Sequence, residues 1–554
     1  MKWNLAAVVA LVVAGAACSA APSTAPQFDA ARLSAMVKIL SSDAFEGRGP
    51  ATPAEQRTVD WIIDAMKQAG LEPGGAIVDG HRDWTQPVPL ARFSIEGEPE
   101  VILHSPKGEQ RLVQGGDIAV RATMDGSGHV DIHRAPLVFV GYGISAPERD
   151  WDDYKDVDLR GKIAVALVND PDFETGEGAF GGEEMTYYGR WTYKYEEAAR
   201  RGALGMLVIH ETRPASYGWA TVRNSNTNVQ FDIVRERPAD AHPHLEGWIQ
   251  HSLAQSLFQR AGLDFDAQKK RAQTRDFKPV LLDGETLSAR FGTRVEHITS
   301  RNVAGRLVGS KYPDETVVYS AHWDHLGIGA ADTRGDRIYN GAVDNATGIA
   351  ALIELGRAFA AGPRPERSLL FLAVTAEEKG LLGSEYYANQ PLYPLATTVA
   401  DINTDALDPG GVARNFSISG TARFDLLDRL IAIAKRHDLR FTPDPHPGAG
   451  GFFRSDHFAF AKRGVPALSY GSGNDLVEGG TAEGERQAVE YTRLHYHQPS
   501  DEWQADWSFA GMAHDLAVLH ELGLELANSG AWPNWAADSE FRAIRDASAD
   551  ERRQ

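Results

Sequence analysis

Thr316-Val317-Val318-Tyr319-Ser320-Ala321-His322-Trp323-Asp324-His325 decides how this chain is read. Its first half is apolar and β-branched, the pattern of a buried strand. Its second half sets two imidazoles and a carboxylate where that strand runs out. The same handover recurs downstream. Residues 368–374 form an apolar run ending in Thr375-Ala376-Glu377-Glu378-Lys379-Gly380, and 397–402 lead into Asn403-Thr404-Asp405. Asp344 stands just before a helical pattern over 347–360. Further strands are expected at 303 onward and 466–470, with helices at 456–462 and 508–527. Strands alternating with helices imply an α/β fold: a mixed, largely parallel sheet flanked by helices. In such sheets ligands gather at the carboxyl ends of the strands, so several separate strand exits aim acids and imidazoles at one rim.

Singly, each signal has an ordinary explanation. Asp344 reads as a helix N-cap, His322 as a hydrogen-bonded core histidine, and Glu377-Glu378 as a solvated turn. Together they are stronger, because clustered carboxylates repel one another and need a cation to neutralise them.

Outward from this core, 137–143 and 161–168 read as buried strands, 195–201 as a helix and 205–209 as a strand, a separate module ending near Leu282. Residues 80–134 read as short strands and turns. Leu33, Met36, Val37 and Leu40 fall at helical spacing, and Thr52-Pro53 opens a second helix with Thr52 as its N-cap. The charged tail 538–554 is expected to fray or to form a loose helix. The 554 residues exceed one ordinary core, and 43% apolar content suits packed globular units. The net charge of −20, from 56 basic and 76 acidic residues, argues against nucleic-acid partners but not against metals.

The N-terminus reads as an export signal. Lys2 precedes a short apolar run over 5–14, too short to span a bilayer, and then comes Gly15-Ala16-Ala17-Cys18. Small residues before the only cysteine resemble a bacterial lipoprotein box, whose cysteine carries lipid. Gly15 departs from the bulky aliphatic usual there, so plain secretion stays open beside a lipid anchor. Export to the periplasm or outer membrane is the expectation, with a lipid at Cys18 as the sole membrane tie.

The motif set as a whole resembles the M28 family of zinc peptidases. His322-Trp323-Asp324, Asp344-Asn345-Ala346-Thr347-Gly348, Glu377-Glu378, Asn403-Thr404-Asp405 and Tyr496-His497 follow that family's order. The segment 454–458 and the Glu46-Gly47-Arg48 loop also resemble family segments, and the interrupting module resembles a protease-associated (PA) domain, which is β-rich. The resemblance implies the following division: a signal peptide (1–17), a linker (18–27), an N-terminal part of the peptidase domain (28–134), the PA-like insert (135–282), the main peptidase domain (283–530) and a tail (531–554). It implies two zinc ions, one on His322, Asp344 and Asp405, the other on Asp344, Glu378 and His497, with Asp344 bridging. Glu377 would be the general base, Asp324 would orient the ligand imidazole, and Tyr496 would donate to the developing oxyanion. It also implies a cis peptide after Asp344.

Asp401 shares a strand face with Asp405, but the Asn-x-Asp pattern favours Asp405. His325 and His495 are expected outside the ligand set. The activity implied is aminopeptidase action on peptides. Carboxypeptidase action, glutaminyl cyclisation and a non-catalytic receptor role are the alternatives, and arginines such as Arg454 and Arg493 keep the first of these open. Specificity is expected to lie in loops 408–420, 446–455 and 471–490. Aromatics Tyr187, Tyr188, Trp191 and Tyr193 of the insert are read as packing or as a substrate shelf.

Overall fold

The computed structural model describes residues 27–552; the signal-like segment, Cys18 and the linker up to residue 26 lie outside the described residues. The strand Tyr312–His322 runs parallel between Arg367–Val374 and Thr398–Thr404, and Ala467–Ser472 extends the parallel set. Asn415–Ile418 adds on antiparallel, with the two-residue strand Arg440–Phe441 at the edge beyond it. Every residue of Arg367–Val374 and of Thr398–Thr404 is buried, as a sheet covered on both faces requires. Side chains alternate accordingly. Val317, Tyr319 and Ala321 pack with Ile349 and Ile353 of the helix Thr347–Ala361 and with Leu516 and Leu519 of the helix Ala510–Asn528. Val318, Leu370 and Leu372 meet Tyr387 and Phe460 on the other face. The helix Ala30–Leu40 starts where the Asp29 carboxylate accepts from the Ala31 and Arg32 amides at 2.9 and 3.2 Å. Thr52 does precede the helix Pro53–Gln68, but its hydroxyl donates back to the Gly49 carbonyl instead of capping.

A second unit carries its own core. His129–Phe139, Ile163–Leu167, Gly205–His210 and Leu245–Gln250 lie side by side and parallel, with the helices Trp191–Arg200, His251–Arg260 and Phe265–Ala272 around them. This is an α/β arrangement rather than the β-rich module expected from the sequence. Its core also takes in Val101, Leu103, Leu112, Ile118 and Val120, so the packed unit begins well before residue 135.

One strand belongs to both units. Val280–Leu307 is 28 residues long and pairs antiparallel with Thr85–Ser105 over most of its length. Its first part pairs with His129–Phe139 of the second unit, and its last part with Arg367–Val374 of the first sheet. The tail is packed, not frayed. Trp535 and Phe541 are buried, and the buried Arg545 donates to the carbonyls of Thr398 and Val399 at 2.9 and 3.3 Å. Among the described residues no helix is long and apolar enough to cross a membrane.

Candidate metal centre and cleft

The expected residues converge at the carboxyl ends of the parallel strands. His322 ends the strand Tyr312–His322, and its Nε2 lies 3.2 Å from Asp344 Oδ1 and 3.1 Å from Asp405 Oδ1. The other Asp344 oxygen, Oδ2, lies 3.3 Å from His497 Nε2, which is itself 3.1 Å from Glu378 Oε2. Asp344 thus stands between two clusters, one carboxylate oxygen toward each. Asp401 is four positions before Asp405, inside the strand, where Ser320 Oγ donates to it at 2.8 Å, and it does not reach the rim.

His325 differs from expectation. It is fully buried, and its Nδ1 lies 2.7 Å from Glu378 Oε1 without the alignment of a hydrogen bond. Both of its ring nitrogens and Glu378 Oε1 are buried and unbonded. Donor atoms of His322, Asp344 and Asp405 lie within 4.8 Å of one another, and so do those of His325, Asp344 and Glu378. Imidazole nitrogens and carboxylate oxygens grouped this way, some of them orphaned in the protein interior, fit zinc.

Neighbouring groups fix these side chains. His322 Nδ1 donates to the Asp324 carbonyl at 3.0 Å, which sets the tautomer and leaves Nε2 with its lone pair free for a cation. The Asp324 carboxylate is 3.8 Å from that ring and instead accepts the Glu377 amide at 3.1 Å, so it positions the Glu377 turn as well as the imidazole. Ser455 Oγ donates to Asp405 Oδ2 at 2.6 Å, and Asn403 in turn donates to Ser455 at 2.8 Å. The peptide Asp344–Asn345 is cis. Asn345, not Asp344, caps the following helix, accepting from the Gly348 amide at 2.9 Å.

Two positioning residues escaped the sequence reading of the site. Asp501 accepts the amides of Val343 and Asp344 at 3.0 and 3.2 Å. Arg48 is buried, and its guanidinium donates to the carbonyls of Leu40, Trp323, Asn340 and Gly341 at 2.6–2.9 Å. It ties the loop after His322 to the loop before Asp344. Burial pulls Arg48 down to about 10, which leaves it charged at neutral pH.

The electrostatics are those of a cation site. Burial would lower the His322 pKa, but Asp405, Glu377 and Asp344 hold it well above the usual range. Burial would likewise lower His497, yet Asp344 and Glu378 raise it to about 10. Glu378 is brought down to about 2, since His325 and His497 outweigh burial and the Asp344 charge. Glu377 is held well above the carboxylate range by burial and by Asp405 and Glu378. No group among the described residues donates a hydrogen bond to its carboxylate.

The centre opens on a cleft of about 420 Å³ between the two units. Glu377, Glu378, Tyr496 and His497 line it from the catalytic side, with Arg454; Arg190 and Trp191 line it from the second unit. The Tyr496 ring stacks on His497, centroids 3.9 Å apart. His495 points away, its Nδ1 donating to the Ser500 carbonyl at 2.9 Å. Of the four insert aromatics, Tyr188 and Tyr193 are buried in the second unit's core, and only Trp191 lines this cleft.

Residues 302–519, which contain every residue of the centre, match the model described as Peptidase family M28. That match identifies residues 302–519 as a segment similar to peptidase family M28. The chain resembles Aminopeptidase NAALADL1 of Mus musculus, at 35% identity over 22% of this chain and 16% of that one. It resembles a probable zinc metalloprotease of Pyrenophora teres f. teres (strain 0-1), at 36% identity over 19% and 22% of the two chains. A probable glutamate carboxypeptidase of Arthroderma benhamiae (strain ATCC MYA-4681 / CBS 112371) matches at 27% identity over 45% and 37%. These matches therefore cover well under half of each relative. Among solved structures, an aminopeptidase from Aneurinibacillus sp. strain AM-1 is similar with a TM-score of 0.48 and 18% identity, over 91% of this chain and 95% of that one.

Proposed function

We propose that this chain is a two-zinc aminopeptidase that removes N-terminal residues from peptides. The observation that carries the reading is Asp344, whose two oxygens face two separate imidazole and carboxylate clusters beside a carboxylate, Glu377, to which no group among the described residues donates. His322, Asp344 and Asp405 would hold one ion, and Asp344, Glu378 and His497 the other, with His325 beneath as a further donor to the second. When bound, the ions supply Lewis acidity and bring a water's pKa toward neutrality.

The chain's own groups do the rest. Glu377 takes the proton of the attacking water and returns it to the leaving amine, a task for a carboxyl that can carry a proton near neutral pH. The Tyr496 hydroxyl donates to the oxygen that gains charge at the scissile carbonyl. Acids crowding the centre favour a substrate with a cationic α-amino group. The second unit, which we read as the PA-like insert, forms the facing wall. The sequence of Lys2 to Cys18 supports export with a lipid at the cysteine, which mass analysis of the mature N-terminus would test. A carboxypeptidase reading gains support from the cleft arginines and from the name of the Arthroderma relative.

Hydrolysis of aminoacyl chromogenic amides and of N-blocked peptides, with chelator and with zinc restored, separates the readings. Cleavage confined to free-amine substrates, lost with chelator and rescued by zinc, is the expected result. Cleavage of N-blocked peptides alone would move the carboxypeptidase reading to the front.

A further inference from the structure

We propose that Arg190 and Arg454 form a carboxylate clamp for the part of a peptide beyond the scissile bond, so that short peptides with a free C-terminus are the preferred substrates. The inference rests on reading the metal centre as a peptidase site. Arg190 comes from the second unit, at the N-cap position of the helix Trp191–Arg200. Arg454 comes from the catalytic unit, just after the turn Gly451–Phe453. Both line the cleft that holds Glu377 and His497.

Among the cleft's guanidiniums, what sets them apart is that neither has an ion-pair partner among the described residues. Three other cations on the cleft are paired, Arg235 with Asp232, Lys462 with Glu196 and Arg121 with Glu246, while Lys379 lies over the Phe231 ring. Arg190 Nε is buried without a hydrogen bond, and Arg454 commits only Nη2, to the Ala449 carbonyl at 2.8 Å. Burial and the Arg454 charge pull Arg190 down to about 10, so it stays cationic at neutral pH beside a like charge. In a chain with 76 acids to 56 bases, two unneutralised guanidiniums in one cleft are an anion site waiting for its anion. The amino end of the Trp191–Arg200 helix adds partial positive charge at the same place.

The cleft is therefore polarised. Carboxylates at the metal centre attract the ammonium end of a peptide, and the arginines attract a carboxylate farther on. A volume of about 420 Å³ suits a peptide of a few residues with a charge at each end. The carboxylate can be the C-terminus itself or an acidic side chain after the cleaved bond.

The test is calorimetric titration of the zinc-loaded full chain carrying Glu377→Gln, which blocks turnover, with Leu-Leu, Leu-Leu-amide and Leu-Glu-amide. Leu-Leu is expected to bind at least tenfold more tightly than its amide. Arg454→Ala, at an exposed position, should remove most of that difference, and Arg190→Lys should keep part of it. Leu-Glu-amide binding like Leu-Leu would show that a side chain also serves; binding like Leu-Leu-amide would assign the clamp to the C-terminus. Equal binding of acid and amide, no binding of either, or a difference that survives Arg190→Ala with Arg454→Ala overturns the proposal. A preserved difference in a protein whose native form cleaves no free-amine peptide would instead sink the aminopeptidase reading and leave the clamp standing.

Discussion

Asp344 turns one carboxylate oxygen to His322 and the other to His497, and the acidic surroundings raise both imidazoles, that of His497 to about 10. A metal needs them neutral, so loading the centre must expel protons. Zinc titrated into metal-free protein at pH 7 should release at least one proton per ion, read from calorimetry in buffers of different ionisation heat. Apparent affinity should fall as pH falls. Zinc uptake with no dependence on buffer would contradict this charge state. The second cluster offers two imidazoles, and metal counts separate them. On the two-zinc reading proposed above, His497→Ala should lower bound zinc from two ions toward one, while His325→Ala should keep two and weaken the second. The opposite order would make His325 the ligand. The strand-exit acids were legible because apolar runs point straight at them, and the Asn-x-Asp pattern picked Asp405 over the buried Asp401. His325 was placed outside the ligand set because sequence shows only that it follows Asp324. The way the chain folds it under Glu378 depends on Arg48 and the 340–341 loop, far apart in sequence.

At the scale of elements, the loops that carry the candidate ligands His322 and Asp344 are held by one side chain. Arg48 donates to four carbonyls from three segments, and replacing it by alanine leaves those acceptors buried and unpaired. Arg48→Ala should cost roughly 3–5 kcal/mol of stability and loosen metal binding with it, as read by thermal melts with and without zinc. A melt shift under one degree would show that the clamp is idle. The helix Gly480–Leu494 was read as part of a specificity loop. Its only buried residue is Gly484, so it has no apolar stripe for periodicity to find, yet it delivers Tyr496 and His497 to the site. The 28-residue strand Val280–Leu307 was equally hidden, because residues 294–297 are exposed in succession, which breaks the alternation that holds over 285–293.

At the scale of the molecule, a charge cluster joins the second unit to the ribbon beside the cleft. His242 lies between Glu246, at 2.7 Å from Nδ1, and Asp232, at 3.1 Å from Nε2. Burial opposes its charge, but the two acids raise it from 6.5 to about 9. Its contribution is fully present below pH 6.5 and is lost as pH rises through about 9. Burial also opposes the Asp232 charge, but His242 and Arg235 lower it from 3.8 to about 2, so its contribution holds above 3.8 and is lost as pH falls through about 2. The latch is complete from about pH 4 to 6.5. The stability gap between native protein and His242→Gln should shrink by roughly 2–3 kcal/mol from pH 6 to pH 9 in denaturant titrations. A gap independent of pH would mean that His242 is neutral throughout. The shared strand carries a different consequence, one of folding order. Asn302 bonds to Gln86 across 216 positions, and the whole second unit is threaded between the two halves of that ribbon. Closing so long a loop is entropically slow while the intervening chain is uncollapsed. The second unit therefore acts as an internal scaffold for maturation: its own collapse brings the ribbon's partners together, and only then does the catalytic sheet gain the strand that borders Arg367–Val374, whose exit carries Glu377 and Glu378.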